Sequence, residues 1–85
     1  MGRAPGFPSM TARKFRKNIL EGRLGYRLVP GRGKGSHRHY SAEGRDTILF
    51  AYHDSVDLGG SEIRSILVNQ AGLTIDEAKR VANGK

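Results

Sequence analysis

The chain reads as a small α+β domain in which one helix precedes a three-stranded antiparallel meander and two further helices follow it. Three observations carry this reading. Apolar residues recur at helical spacing near positions 12–20 and 63–67, and they alternate or run together at strand length near 26–29 and 47–52. The presumed strands are joined by segments rich in Gly, Pro, Asp and Ser, which form turns. Finally, 85 residues with 36% hydrophobic content support only one modest core, so helices must cover one face of the sheet. That arrangement is a sandwich of the double-stranded-RNA-binding-domain type.

Residues 1–9 are dominated by Gly, Pro and Arg and show no periodicity, so they are expected to be a disordered tail. Met10 reads as an alternative natural start; the other reading makes the preceding segment a disordered extension. Residues 10–83 are expected to form a single domain. Thr11, or else Ser9, suits the N-cap of a first helix. Ala12, Phe15 and Ile19 share one face, with Leu20 at its edge, while Arg13, Lys14 and Lys17 fall on the other side. Gly22 or Gly25 should stop this helix. Tyr26-Arg27-Leu28-Val29 reads as the first strand. A second strand starts near His37 and runs to Tyr40 or Ser41. Ala42-Glu43-Gly44-Arg45-Asp46 has turn chemistry, and Thr47–Tyr52 is the strongest strand pattern in the chain. Residues 53–60 read as a loop. Ser61 is expected to cap a second helix buried through Ile63, Ile66 and Leu67, and Gly72 to close it in the left-handed conformation. Thr74 and Glu77 have capping-box spacing and open a short last helix through Val81.

Charge narrows the function classes. The net charge is +7, and its distribution is uneven. Residues 1–45 hold 11 Lys and Arg against 2 acidic residues, whereas residues 46–85 hold 4 against 6. Such one-sided basicity is the footprint of a nucleic-acid binder. An anionic membrane surface fits less well, because no helix pairs a basic face with a broad apolar one. There are no cysteines, which excludes a disulfide framework and thiolate metal sites. No apolar run approaches the ~20 residues that cross a bilayer, and no signal-peptide pattern is present. A cytoplasmic location is expected.

The densest chemistry lies in Gly35-Ser36-His37-Arg38-His39-Tyr40, which follows the basic loop Pro30-Gly31-Arg32-Gly33-Lys34-Gly35. Histidine titrates near neutral pH and is a ready proton-transfer group. The flanking cations draw a polyanion toward it. Taken alone, His37 reads more readily as a solvent-facing strand residue with no role. His39 shares its sheet face, whereas Tyr40 has the opposite parity and reads as a core aromatic. His37-x-His39 has metal-ligand spacing, but no neighbouring donors complete a site, so no metal is expected.

These residues resemble the HicA toxins, small RNA-cleaving partners of HicB antitoxins in bacterial toxin–antitoxin modules. The match rests on Gly35-Ser36-His37 before Arg38-His39-Tyr40, on Ile63-Arg64-Ser65-Ile66-Leu67 followed by Gln70-Ala71-Gly72-Leu73, and on the order of elements. It covers roughly residues 10–75. The chain departs from the family in two places. The third strand carries Phe50-Ala51-Tyr52 before His53 where members often have Val-Pro before a histidine. The second helix opens with Leu58-Gly59-Gly60-Ser61-Glu62-Ile63 in place of Lys-x-Gly-Thr-Leu. No role is therefore transferred to His53.

The resemblance implies a cofactor-free, metal-independent endoribonuclease acting on mRNA, with His37 as general base or acid and growth arrest as the outcome. Such cleavage needs a base for the 2′-hydroxyl, a donor for the leaving 5′-oxygen and cations on the phosphate. One placed histidine implies slow turnover, since a single acid–base group supplies about 10²–10⁴-fold. Gly35, Ser36, Lys34, Arg32, Arg38 and His39 are expected to bind RNA, and Gly35 to free the backbone just before His37. A HicB-type antitoxin is expected on His37, Arg64 and Lys17. The protein should be a monomer when free and a hetero-oligomer with its antitoxin. Two other readings use the same residues: an RNA-binding module that does not cut, and a basic structural protein of a ribonucleoprotein.

Overall fold

The computed structural model describes residues 5–31 and 37–84. Thr11 holds an extended backbone (φ −66°, ψ 155°), and its Oγ1 accepts from the Lys14 N–H at 3.2 Å. One of the free donors at the helix start is thereby satisfied. Helix α1 begins at Ala12–Lys14 and continues as a wider π-helical run over Phe15–Glu21. The widening shows in the bonds that close it: the Gly22 N–H reaches the Lys17 carbonyl, and the Leu24 N–H reaches that of Ile19, both at 3.0 Å. Ala12, Phe15, Ile19 and Leu20 are all buried, as their spacing requires. Gly25, at φ 75°, then turns the chain toward the sheet.

Strands β2 (Arg27–Leu28), β3 (Arg38–Ser41) and β4 (Ile48–Phe50) form the antiparallel meander in the order β2-β3-β4. Leu28 lies opposite Tyr40, and Tyr40 lies opposite Ile48. The expected strands are longer than the observed ones. Val29 is outside β2, although its N–H still donates to the His39 carbonyl at 2.8 Å. β4 keeps three residues of the expected six, because its ladder with β3 ends where Phe50 meets Arg38.

The segment expected to be a loop before Gly60 contains a strand. Asp57–Leu58 forms β5, which pairs with β1 (Met10–Thr11) in a separate two-stranded ribbon. A two-residue strand carries no periodicity, and its partner is nearly fifty positions away, so no local pattern announces it. Helix α2 (Gly60–Ser65) continues as π-helical turns over Ile66–Gln70. Its N-cap is Gly59, not Ser61. Gly59 is extended (φ −79°, ψ 169°), its carbonyl accepts the Ile63 N–H at 3.1 Å, and Ser61 already sits in the first turn. Gly72, at φ 79°, follows the end of α2 as expected. Helix α3 (Ile75–Ala82) opens on the full capping box: Thr74 Oγ1 accepts from Glu77 N–H, and the Glu77 carboxylate accepts from Thr74 N–H.

One core joins these elements. Phe50 is its aromatic hub, stacked on Phe15 at 6.0 Å between ring centroids and met edge-on by Tyr40 at 6.2 Å. Ile63, Ile66 and Leu67 cover the sheet from α2, and Ala78 and Ala82 join from α3. The buried Tyr26 hydroxyl donates to the Asp46 carbonyl at 2.7 Å, tying β2 to the turn before β4. Of the segment expected to be a tail, residues 1–4 lie outside the described residues, Phe7 packs against the core, and the Gly6 carbonyl accepts from Asn83 at 2.8 Å.

Candidate nucleic-acid interface and active site

The helices cover one face of the three-stranded sheet and leave the other open. Tyr40 and Ile48 point inward and are fully buried, while Leu49 is 43% exposed. The pleat then decides where each residue of the histidine segment goes. His39 lies opposite Leu49 on the open face and is half-buried. With Val29, Ser41 and Thr47 it lines a shallow depression there. His37 stands one place before β3 and is exposed, and the alternation of β3 carried back one residue puts it on the side of His39. No described residue hydrogen-bonds its ring.

Arg38 points the other way. It lies opposite Phe50, on the parity of Tyr40, and is half-buried. The register therefore separates Arg38 from His39, and the same alternation groups His37 with His39. Lys17 on α1 and Arg64 on α2 are exposed, as is His53 in the turn after β4. The His53 carbonyl accepts from the Val56 N–H at 3.1 Å. Arg32, Lys34, Gly35 and Ser36 lie outside the described residues. Gly31, where the described part of the loop ends, takes φ 77° with open space around its Cα.

Electrostatics at the sheet's open end turn on Arg16. Its guanidinium pairs with Glu21 at 3.0 Å and with Asp54 at 3.2 Å. Burial opposes its charge, but the hydrogen bond to Glu21 and the fields of Tyr40 and Asp54 outweigh that and raise its pKa. The bridge joins α1 to the turn beyond β4, where Arg13 N–H also donates to the Asp54 carbonyl at 3.1 Å. Nothing in the sequence announces this network, because Arg16 and Asp54 are 38 positions apart. All eight Asp and Glu side chains belong to described residues, and only Glu21 and Asp54 form ion pairs there, both with Arg16. The described cations other than Arg16 are left without carboxylate partners.

Among the described residues, no three His, Cys, Asp or Glu side chains gather into a set that holds a metal ion. Nor, among them, is any helix long and apolar enough to cross a membrane.

A family model described as the HicA toxin of bacterial toxin–antitoxin systems matches residues 17–73, about two thirds of the chain. The matched span runs from the exposed face of α1 through the meander and α2 to Leu73, and includes Gly35-Ser36-His37. Neither the curated proteins nor the solved structures compared with this chain include a match. A helix, an antiparallel meander and two covering helices, arranged as in the double-stranded-RNA-binding domain and carrying this match, place the chain in the HicA toxin family of bacterial toxin–antitoxin systems.

Proposed function

We propose that this toxin is a metal-independent endoribonuclease that cuts mRNA with His37 as its general acid–base group. Family membership supports the toxin role and pairing with a HicB-type antitoxin. One observation carries the finer reading: His37 is exposed beside His39 on the uncovered face of the sheet, next to a loop rich in Arg, Lys and Gly. A flexible strand can lie on that face with its phosphates toward the loop cations.

In the reaction, one imidazole takes the proton of a 2′-hydroxyl as that oxygen attacks the adjacent phosphorus. The bond to the 5′-oxygen breaks, and that oxygen takes a proton from a second donor, a water or a neighbouring side chain, which the protonated base later restores. A 2′,3′-cyclic phosphate and a 5′-hydroxyl end result, so atoms and charge balance without a redox partner. His37 serves as base or acid. Arg32, Lys34, Gly35 and Ser36 hold the phosphate, and His39 contacts the same strand from its place two residues on. The antitoxin silences the enzyme by covering this face.

A second reading rests on the lack of any described group orienting the His37 ring: a module that binds RNA without cutting it. Induction of the wild type and of His37→Ala in cells separates the two. The wild type is expected to arrest growth and fragment RNA. His37→Ala is expected to lose about 10²–10⁴-fold in cleavage and to leave RNA intact. Equal growth arrest by both variants, with uncut RNA, sinks the nuclease reading and leaves the binding one. Cleavage that stops on adding a chelator contradicts the metal-free chemistry.

A further inference from the structure

A second cationic site lies away from the histidines. Pro8, Ser9 and Met10 run alongside α1 and, with the end of α3, enclose an open cleft of about 280 Å³. Lys14, Asn18 and Arg23 line it from the α1 side and Asn83 from the α3 side. Lys14 and Asn18 are one helical turn apart and so share a face. Arg23 is held in place: its Nη1 donates to the Val81 carbonyl at 2.8 Å, at the electronegative end of α3. Among the described residues that is its one side-chain hydrogen bond, and a guanidinium carries five N–H donors. Asn83 is a wall, since its amide already donates to the Gly6 and Lys79 carbonyls, both at 2.8 Å. Among the described residues no carboxylate lines the cleft.

We infer that this cleft is a phosphate-backbone site, in which Lys14, Asn18 and Arg23 hold the RNA away from the point of cleavage. The inference rests on the nuclease or RNA-binding reading above and adds a second contact to it. An acidic protein is the competing occupant, and the surface chemistry argues against it. Protein interfaces are built around buried aromatic and aliphatic anchors. Among the described residues the exposed large hydrophobics are Leu28, Leu49, Val56 and Ile75, and none lines this cleft. Pro8, Met10, Ile19 and Ala82 also line it, but its polar side chains are Lys, Arg, Asn and Ser, those that contact nucleic-acid phosphates without reading sequence. A cleft of this make-up anchors any strand equally well. It sets the register of the RNA and leaves the choice of sequence to the histidine face.

The test uses the full chain carrying His37→Ala, so that the probe stays whole. A fluorescent single-stranded RNA of mixed sequence is titrated at several salt concentrations. The variant with Lys14→Gln and Arg23→Gln added is expected to bind at least tenfold more weakly at low salt. Its slope of log affinity against log salt should be shallower by about 1.4, the loss of two single-strand phosphate contacts. Because Arg23 also ties α1 to α3, Lys14→Gln alone and Asn18→Lys accompany it. The first should flatten the slope by about 0.7 and the second steepen it by a similar amount. Slopes unchanged in all three variants, with RNA still bound, overturn this site and leave the proposed function standing. RNA that binds none of the variants and not the parent either overturns both. Loss of affinity for the purified cognate antitoxin, with RNA binding unchanged, reassigns the cleft to protein and also overturns the inference.

Discussion

At the scale of single residues, period-two alternation does most of the sorting. It separates His37 and His39 from Arg38 and Tyr40 before any tertiary contact is considered, and the register of β3 against β4 bears this out for His39, Arg38 and Tyr40. Arg16 belongs to the opposite kind of residue, one whose role depends wholly on where the chain folds back. It looks like one more cation in a basic helix, yet its side chain is 14% exposed and bridges Glu21 and Asp54. Replacing it as Arg16→Met should cost about 1–2 kcal/mol, read as a lower urea midpoint. The figure sits low for a charge-assisted network for two reasons. Glu21 and Asp54 keep part of their solvation, and the buried Nε of Arg16 has no partner. An unchanged midpoint would show that the bridge does not hold the turn bearing His53.

At the scale of elements, α3 is the part of the fold most fully written in local sequence. Thr74-Ile75-Asp76-Glu77 carries its own start signal, and both reciprocal bonds form. The Thr74 backbone N–H, and then its hydroxyl, hold the Glu77 carboxyl below the usual carboxylate range. A lowered folded-state pKa means that the carboxylate's contribution is complete above its unfolded value and is lost as pH falls through the folded one. The Thr74 amide proton resonance should therefore titrate at a pH below the ordinary range for glutamate. That titration should vanish in Glu77→Gln, which keeps an acceptor at every pH. Thr74→Ala should cost about 1 kcal/mol. The ribbon of β1 with β5 was illegible for the opposite reason. Its bonds join residues far apart in sequence, and two residues per strand leave nothing for alternation to mark. The Gly59 cap was hidden as well, because Ser61 offered the better side chain while backbone geometry made the choice. The candidate site was legible in part: His37 and His39 announce their shared surface, but the cleft of Lys14 and Arg23 needs α3 to complete it.

At the scale of the whole molecule, unpaired positive charge dominates. A chain of net charge +7, with two carboxylates in ion pairs among the described residues, repels itself more than it attracts. Raising salt from about 0.01 to 0.15 M shortens the screening length from about 30 to 8 Å. The melting temperature of the free toxin should therefore rise over that interval, as scanning calorimetry can record. A fall would mean that the Arg16 bridge outweighs the long-range repulsion. Self-repulsion also keeps copies apart, and one hydrogen bond reinforces this at close range. Gln70 reaches from the end of α2, and its Oε1 accepts the Leu49 N–H at 2.9 Å, on the side of β4 that faces away from β3. That N–H is a donor that an additional strand would otherwise use. The helix thus plugs one border of the sheet. Growth of the sheet by another chain, whether a regulated partner or an aggregating copy, is channelled to the opposite border at β2, where Arg27 guards a stretch only two residues long.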